Sequence, residues 1–225
     1  MPAAAGGPGD VLTDASGIPL AVGLHSTLAL DAGLVGDGAR LLAVANRLGL
    51  PVAEGVVITM AGVENDDRLD ALKHAWRRTG GPVHVMLSDR GPRSGLSVGP
   101  SRCDASTWEG LLDDVHDILA YDLLENPSRA DGSWAILVLK VPAGSRRVLA
   151  QADHRGHIRL MAADEQRRLS WRARLRLRAL ARQARELVGR PVSLEAMCTA
   201  DGDWVVTDLR HLVSRIVRSH RADEP

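Results

Sequence analysis

A helix-spaced apolar segment followed at once by a β-branched run is the feature that most restricts how this chain can fold. Residues 39–48 carry apolar side chains at helical spacing, and residues 56–59 have the composition of a buried strand. Further helices are predicted over 67–78, 107–120 and 170–188. Further strands are predicted over 83–87, 134–141, 147–152, 157–161, 192–197 and 204–208. Short strands interleaved with amphipathic helices indicate an α+β fold with mixed sheets.

Charge and cysteine usage exclude several classes of protein. Lys and Arg total 28, as do Asp and Glu, so the formal net charge is zero and no global field favours nucleic acid or an anionic membrane. Cys103 and Cys198 are isolated and lack metal-type spacing, which is typical of a reduced intracellular protein. No membrane-length apolar run and no signal-peptide pattern occurs in the sequence. We therefore expect a soluble, cytoplasmic protein.

Three blocks of sequence, in order, carry a family resemblance. The first reads V-G-D-G-A-R-L at 35–41 and L-G-L-P-V-A-E-G-V-V-I-T at 48–59. The second reads V-H-V-M-L-S-D at 83–89, and the third joins G-R-P-V-S-L-E-A at 189–196 to T-D-L-R-H at 207–211. They resemble G-G-K-G-A-N-L, G-L-P-V-P-P-G-F-V-I-T, V-A-V-R-S-S, and the G-x-P-x-D-I-E-W and L-Q-x-R-P patterns. These belong to the N-terminal ATP-binding domain of phosphoenolpyruvate synthase and pyruvate phosphate dikinase.

The resemblance implies an ATP-grasp fold, in which two lobes of mixed sheet with packed helices clamp ATP. It runs from about residue 33 to residue 215 in a shortened and degenerate form. We expect a flexible arm over 1–17, an N-terminal lobe over 18–125, a C-terminal lobe over 126–218 and a flexible tail over 219–225. The segment 151–170 is much shorter than its family counterpart, so the adenine pocket is expected to be open or missing.

The resemblance also assigns cofactors and binding residues. It implies ATP and Mg²⁺ as cofactors, and it implies that Gly36, Gly38 and Arg210 bind the nucleotide. The family uses a Lys and an Arg as phosphate-facing cations where this chain has Asp37 and Met86. An Asp beside a triphosphate would repel it, which argues against ordinary catalysis. No catalytic residue is identified.

Two carboxylates are the candidate metal ligands. Glu195 matches the family Glu, and Asp208 stands at the family Gln, a replacement that suits Mg²⁺ because this ion prefers hard oxygen ligands. Adjacent antiparallel strands could present both side chains on one face. The alternative interpretation is a hairpin in which Glu195 forms a structural ion pair with Arg210.

Other polar features have simpler explanations. His154 and His157 share a hydrophilic turn, and no third ligand has metal-site spacing. The arginine-rich side of the 170–188 helix is interpreted as a solvated face, since no aromatic residues interleave with the arginines for nucleic-acid stacking. The stretch 89–106, rich in Gly, Ser, Arg and Pro, is predicted to be a long loop.

Two functional hypotheses follow. In the first, the chain binds ATP with Mg²⁺ and transfers phosphate to a histidine or small acceptor on a separate phosphohistidine or pyruvate-binding chain. In the second, it is a catalytically inactive pseudoenzyme that acts as a binding or regulatory partner. The loss of both cations at Asp37 and Met86 favours the second, and the Glu195, Asp208 and Arg210 arrangement favours a retained ligand.

Overall fold

The computed structural model describes residues 10–64, 66–89, 102–125, 134–142, 146–162, 169–199 and 202–212. The strands are β1 (Val11–Thr13), β2 (Pro19–Gly23), β3 (Gly55–Thr59), β4 (Val83–Asp89), β5 (Arg102–Ala105), β6 (Trp134–Lys140), β7 (Arg146–Ala152), β8 (Ile158–Ala162), β9 (Val192–Cys198) and β10 (Trp204–His211). The helices are α1 (Ala32–Arg47), α2 (Met60–Glu64), α3 (Arg68–Thr79), α4 (Trp108–Glu125) and α5 (Trp171–Val188). Each element predicted from periodicity corresponds to one of these.

The first sheet has the order β1-β2-β3-β6-β4-β5 and carries helices on both faces. Its strand β6 is apolar from Trp134 to Leu139, as expected for a strand with both faces covered, and only the terminal Lys140 is exposed. Ile136 and Val138 belong to the core cluster that includes α3 and α4, whereas Leu137 and Leu139 belong to the cluster that includes α1. Alternate residues of one strand therefore join the two core layers of the protein.

The second sheet has the order β10-β9-β7-β8, and α5 covers one of its faces. Val148 on β7 and Leu194 on β9 are buried in one cluster with Leu177 and Ala181 of α5. Helix α5 begins at Ser170, whose side chain accepts a hydrogen bond from the amide of Ala173, as an N-cap residue does. The side of α5 that carries Leu177 and Ala181 is thus its inner face.

The α+β class is confirmed, but the prediction of mixed sheets is wrong in detail. Every strand pair described in the two sheets is antiparallel. Strands β3 and β4 run in the same direction and are connected through helices, a pattern that is compatible with a mixed sheet. They do not pair because β6 lies between them, antiparallel to both.

Two predicted segment boundaries differ from the observed sheets. The C-terminal lobe was placed over 126–218, but β6 belongs to the first sheet, where its two apolar faces can be buried. Within the predicted arm 1–17, β1 pairs with β2, while residues 1–9 lie outside the described residues, as does the tail 219–225. Of the predicted 89–106 loop, Arg102–Ala105 forms β5, and residues 90–101 also lie outside.

In the described ranges, no helix combines the length and the apolar character that crossing a bilayer requires.

Candidate functional site

The β9–β10 hairpin brings Glu195 and Asp208 side by side. These residues are direct cross-strand partners, and they are 3% and 5% exposed. The strand register shifts between Val206 and Asp208, so Thr207 is an extra residue on β10. Such a bulge reverses the alternation of side chains beyond it. The shift therefore moves Asp208 onto the face that carries Glu195, away from the face covered by α5.

Each buried carboxylate is paired with its own arginine. The Nε atom of Arg147 lies 3.2 Å from Oε1 of Glu195. The Nε atom of Arg210 lies 2.7 Å from Oδ2 of Asp208. Adjacent like charges with little solvent contact repel strongly, and the two guanidinium groups offset that repulsion. We call these four residues the charge quartet; its formal charge is zero.

The alternative ion pair predicted from the sequence, Glu195 with Arg210, is replaced by two separate pairs. Arg210 contacts the carboxylate of Asp208 on its own strand, two residues away and on the same face. Glu195 is contacted instead from β7 by Arg147, which the sequence reasoning did not identify. The three predicted residues Glu195, Asp208 and Arg210 do come together, with a second arginine completing the group.

A histidine connects the charge quartet to the first sheet. His84 on β4 is fully buried, and its Nδ1 lies 3.2 Å from a terminal guanidinium nitrogen of Arg147. Because a guanidinium only donates hydrogen bonds, Nδ1 of His84 must accept, which places the ring proton on Nε2. The quartet face of the second sheet is therefore turned toward β4. A histidine between the apolar residues Val83 and Val85 of a predicted strand was the available signal for this residue.

The glycines of the first block lie at the start of α1, against the far end of β4. Gly36 has φ 75° and interrupts the helix. The hydroxyl of Ser88 donates to the carbonyl of Val35 at 2.7 Å and accepts from the amide of Ala39 at 2.9 Å. A Cβ atom on Gly36 would stand 2.5 Å from the carbonyl oxygen of Ser88. This glycine is thus explained by close packing, and its role and that of Gly38 in cofactor binding remain predictions.

Strand β4 connects these two regions. His84, Met86 and Ser88 alternate with residues of the opposite core layer and so share one face of the strand. His84 meets the charge quartet, and Ser88 meets the glycine turn, roughly 13 Å away at about 3.3 Å per residue. Between them Met86 is 3% exposed and belongs to the core cluster of α1. At the position where the family has its arginine, this chain therefore packs an apolar side chain.

The described residues do not complete a metal site on their own. Within those ranges there is no group of three or more His, Cys, Asp or Glu side chains placed to hold a metal ion. Glu195 and Asp208 supply two carboxylates, which matches the way Mg²⁺ is often bound, by one or two carboxylates together with waters and phosphate oxygens. A metal here would thus depend on a bound phosphate for further ligands.

Comparison with known proteins identifies the fold. No protein-family model matches the sequence, and no curated protein matches it. Among solved structures, the biotin carboxylase domain of the Hydrogenobacter thermophilus 2-oxoglutarate carboxylase, in complex with MgADP, ADP and bicarbonate, superposes with a TM-score of 0.54 at 16% identity. The alignment covers 81% of this chain and 41% of that one.

Two further structures agree. Campylobacter jejuni biotin carboxylase, in a complex with β,γ-ATP, gives a TM-score of 0.52 at 16% identity over 84% of this chain and 42% of that one. An L-amino acid ligase from Bacillus licheniformis gives 0.51 at 14% identity, covering 78% and 42%. The chain has an ATP-grasp fold and spans about two fifths of the length of these enzymes.

Proposed function

We propose that this chain binds a nucleoside triphosphate together with Mg²⁺ at the charge quartet. Glu195 and Asp208 would hold the metal, and Arg210, with Arg147 beside it, would face the phosphates. The single observation that carries this proposal is the cross-strand placement of two buried carboxylates flanked by two guanidinium groups. The nucleotide complexes formed by two of the similar structures support the same ligand.

Binding would exchange partners inside the quartet. In the free protein each carboxylate neutralises one arginine. With the nucleotide present, the carboxylates would pair with the metal and the arginines with phosphate oxygens, which suit the planar guanidinium donors. Bound Mg²⁺ would supply neutralisation of the phosphate charge. His84 would keep Arg147 oriented through its Nδ1 atom during this exchange.

Phosphate transfer to a histidine or small acceptor on a separate chain is the finer form of this proposal, in the manner of the pyruvate phosphate dikinase class. It draws on the resemblance of the three sequence blocks. A second candidate function is that of a pseudoenzyme, a binding or regulatory partner without turnover. The burial of Met86 and the presence of Asp37 favour this alternative, because both remove cations from the family's phosphate-facing positions.

Thermal unfolding with and without nucleotide tests the binding proposal. ATP with Mg²⁺ is expected to raise the melting temperature of the full chain, and Asp208→Asn is expected to abolish the rise. Asp203→Asn is the matched control, because Asp203 lies just before β10 with its side chain 78% exposed. An unchanged melting temperature up to millimolar ATP would contradict nucleotide binding. ATP consumption followed by phosphorus NMR then separates the two functions, since a pseudoenzyme leaves ATP intact.

A further inference from the structure

A cavity of about 310 Å³ lies against β10 on the side away from the charge quartet. It is formed by α1, the last turn of α5 and the end of β10, and it is partly open to solvent. Its apolar lining includes Leu41, Val44 and Leu209. Leu209 alternates along the strand with Asp208 and Arg210, which explains why it faces the opposite side of the sheet. A volume of this size falls at the lower end of the range for small-molecule sites, about 300–1,000 Å³.

The polar groups of the cavity are cationic or able to donate hydrogen bonds. Arg40, Arg190 and His211 contribute to the lining, and none of the other described residues that line the cavity is acidic. Both arginines are exposed, and within the described part of the chain neither forms an ion pair. The Nδ1 atom of His211 is shielded from solvent and has no hydrogen-bond partner among the same residues. A buried polar atom without a partner is costly, and a ligand in the cavity would remove that cost.

We propose that this cavity binds a small organic anion, with an apolar body between Leu41, Val44 and Leu209. Its carboxylate or phosphate would pair with Arg40 and Arg190, and His211 would donate from Nδ1. An apolar lining with a few convergent polar groups is the usual composition of a small-molecule site. Two guanidinium groups that no carboxylate of the described residues neutralises favour a negative charge. The site is separate from the charge quartet, so the proposal does not rest on nucleotide binding.

Matched ligands test the proposal on the full chain without nucleotide. Hexanoate and hexyl phosphate are titrated by NMR, with hexanol as a neutral ligand of the same length and acetate as an anion without the apolar body. We expect saturable shifts of the Leu209 and His211 amide signals with hexanoate or hexyl phosphate. Hexanol and acetate should bind at least about tenfold more weakly, as expected when one charged or one apolar contact is lost. Comparing the two anions shows which head group is preferred.

Variants on the protein side complete the test. Arg40→Gln combined with Arg190→Gln should weaken hexanoate binding roughly tenfold or more, since charged hydrogen bonds are lost. Both side chains are exposed, so folding should be retained. Arg174→Gln combined with Arg178→Gln, on the exposed face of α5, is the control and should leave the affinity unchanged. Equal binding of hexanol and hexanoate, no binding of either anion, or wild-type affinity in the first variant would overturn the proposal.

Discussion

Asp208 on β10 stands directly opposite Glu195 on β9, and a one-residue irregularity in the strand puts it there. Before the irregularity, Val206 pairs with Ala196, and both belong to the core that α5 covers. Had the regular alternation continued, Asp208 would point into that core, where an unpaired carboxylate is very costly. The extra residue Thr207 instead turns Asp208 to the opposite face, where Arg210 meets it. The bulge is therefore what creates a two-carboxylate site.

The Arg147–Glu195 pair should be strongly coupled energetically. Glu195 is 3% exposed, so Arg147→Leu is expected to lower the free energy of unfolding by about 3 kcal/mol, because a buried carboxylate loses its guanidinium partner. Adding Glu195→Leu should recover part of that loss, since the double variant buries no charge there. Urea unfolding of the four proteins in this cycle measures the coupling.

An exposed ion pair provides the comparison. Lys73 and Asp70 lie 3.3 Å apart on α3 with side chains 47% and 68% exposed. Their coupling in an equivalent cycle should be no more than about 0.5 kcal/mol. If the Arg147–Glu195 cycle gives a coupling as small as this one, the charge quartet is not the tightly coupled unit that its burial indicates.

Gly36→Ala should destabilise the protein more than Gly49→Ala, although both glycines have a positive φ angle. Gly36 has φ 75°, and a Cβ there would meet the backbone oxygen of Ser88 at 2.5 Å. Gly49, just after α1, has φ 88° with nothing within 4 Å of its Cβ position. Gly49→Ala should cost about 1 kcal/mol for backbone strain alone, whereas Gly36→Ala should cost about 3 kcal/mol or more. Equal losses in urea unfolding would mean that the contact with Ser88 can relax freely.

Local patterns were enough to predict most elements of this fold. Helix α5 shows why, since its apolar stripe, its cap at Ser170 and its final Gly189 all lie within one stretch of sequence. The position of β6 between β3 and β4 could not be predicted in this way, because strand order depends on contacts distant in sequence. Strand β1 was missed because Val11–Thr13 is too short to show a period.

The residues of the candidate site also differ in whether local sequence could predict them. Glu195, Asp208 and Arg210 were predicted from the two strands of a hairpin, whose pairing is local. Arg147 on β7 and His84 on β4 were missed because their contacts are distant in sequence. Arg147 pairs with Glu195 of another strand, and His84 contacts Arg147 from 63 positions away. The bulge at Thr207 could not be predicted from the sequence either, because it is defined only by the register with the partner strand β9.

His74 should make the protein less stable in mild acid. Burial lowers the pKa of His74 below its ordinary value of 6.5, and the positive charge of Arg78 lowers it further, while Asp10 acts in the opposite direction. Between the lowered pKa of the folded protein and 6.5, the unfolded chain therefore binds more protons at His74 than the folded chain does. The free energy of unfolding should fall as the pH falls through this range, by at most about 1.4 kcal/mol per pH unit.

Removal of the imidazole isolates that contribution. Urea unfolding between neutral and mildly acidic pH should show a smaller decline for His74→Gln than for the wild type. His116→Gln is the matched control, because His116 lies exposed on α4. An identical pH dependence in His74→Gln and the wild type would show that this histidine does not contribute to the acid sensitivity.

Mg²⁺ alone should bind the charge quartet weakly, and removal of one arginine should change this. Arg147 and Arg210 already neutralise the two carboxylates, so the free cation gains little by entering. With ATP present, the phosphates would take over the arginines and leave both carboxylates to the metal. We therefore expect a rise in melting temperature with Mg²⁺ and ATP together, and almost none with Mg²⁺ alone.

In Arg147→Gln the four positions carry a net negative charge, so Mg²⁺ alone should now raise the melting temperature. NaCl at matched ionic strength controls for general screening, which acts on exposed charges of either sign. Adding Asp208→Asn should remove this gain, because the metal then loses one of its two carboxylates. If Mg²⁺ alone stabilises the wild type as much as Arg147→Gln, the arginines do not compete with the metal, and the exchange of partners proposed for nucleotide binding is wrong.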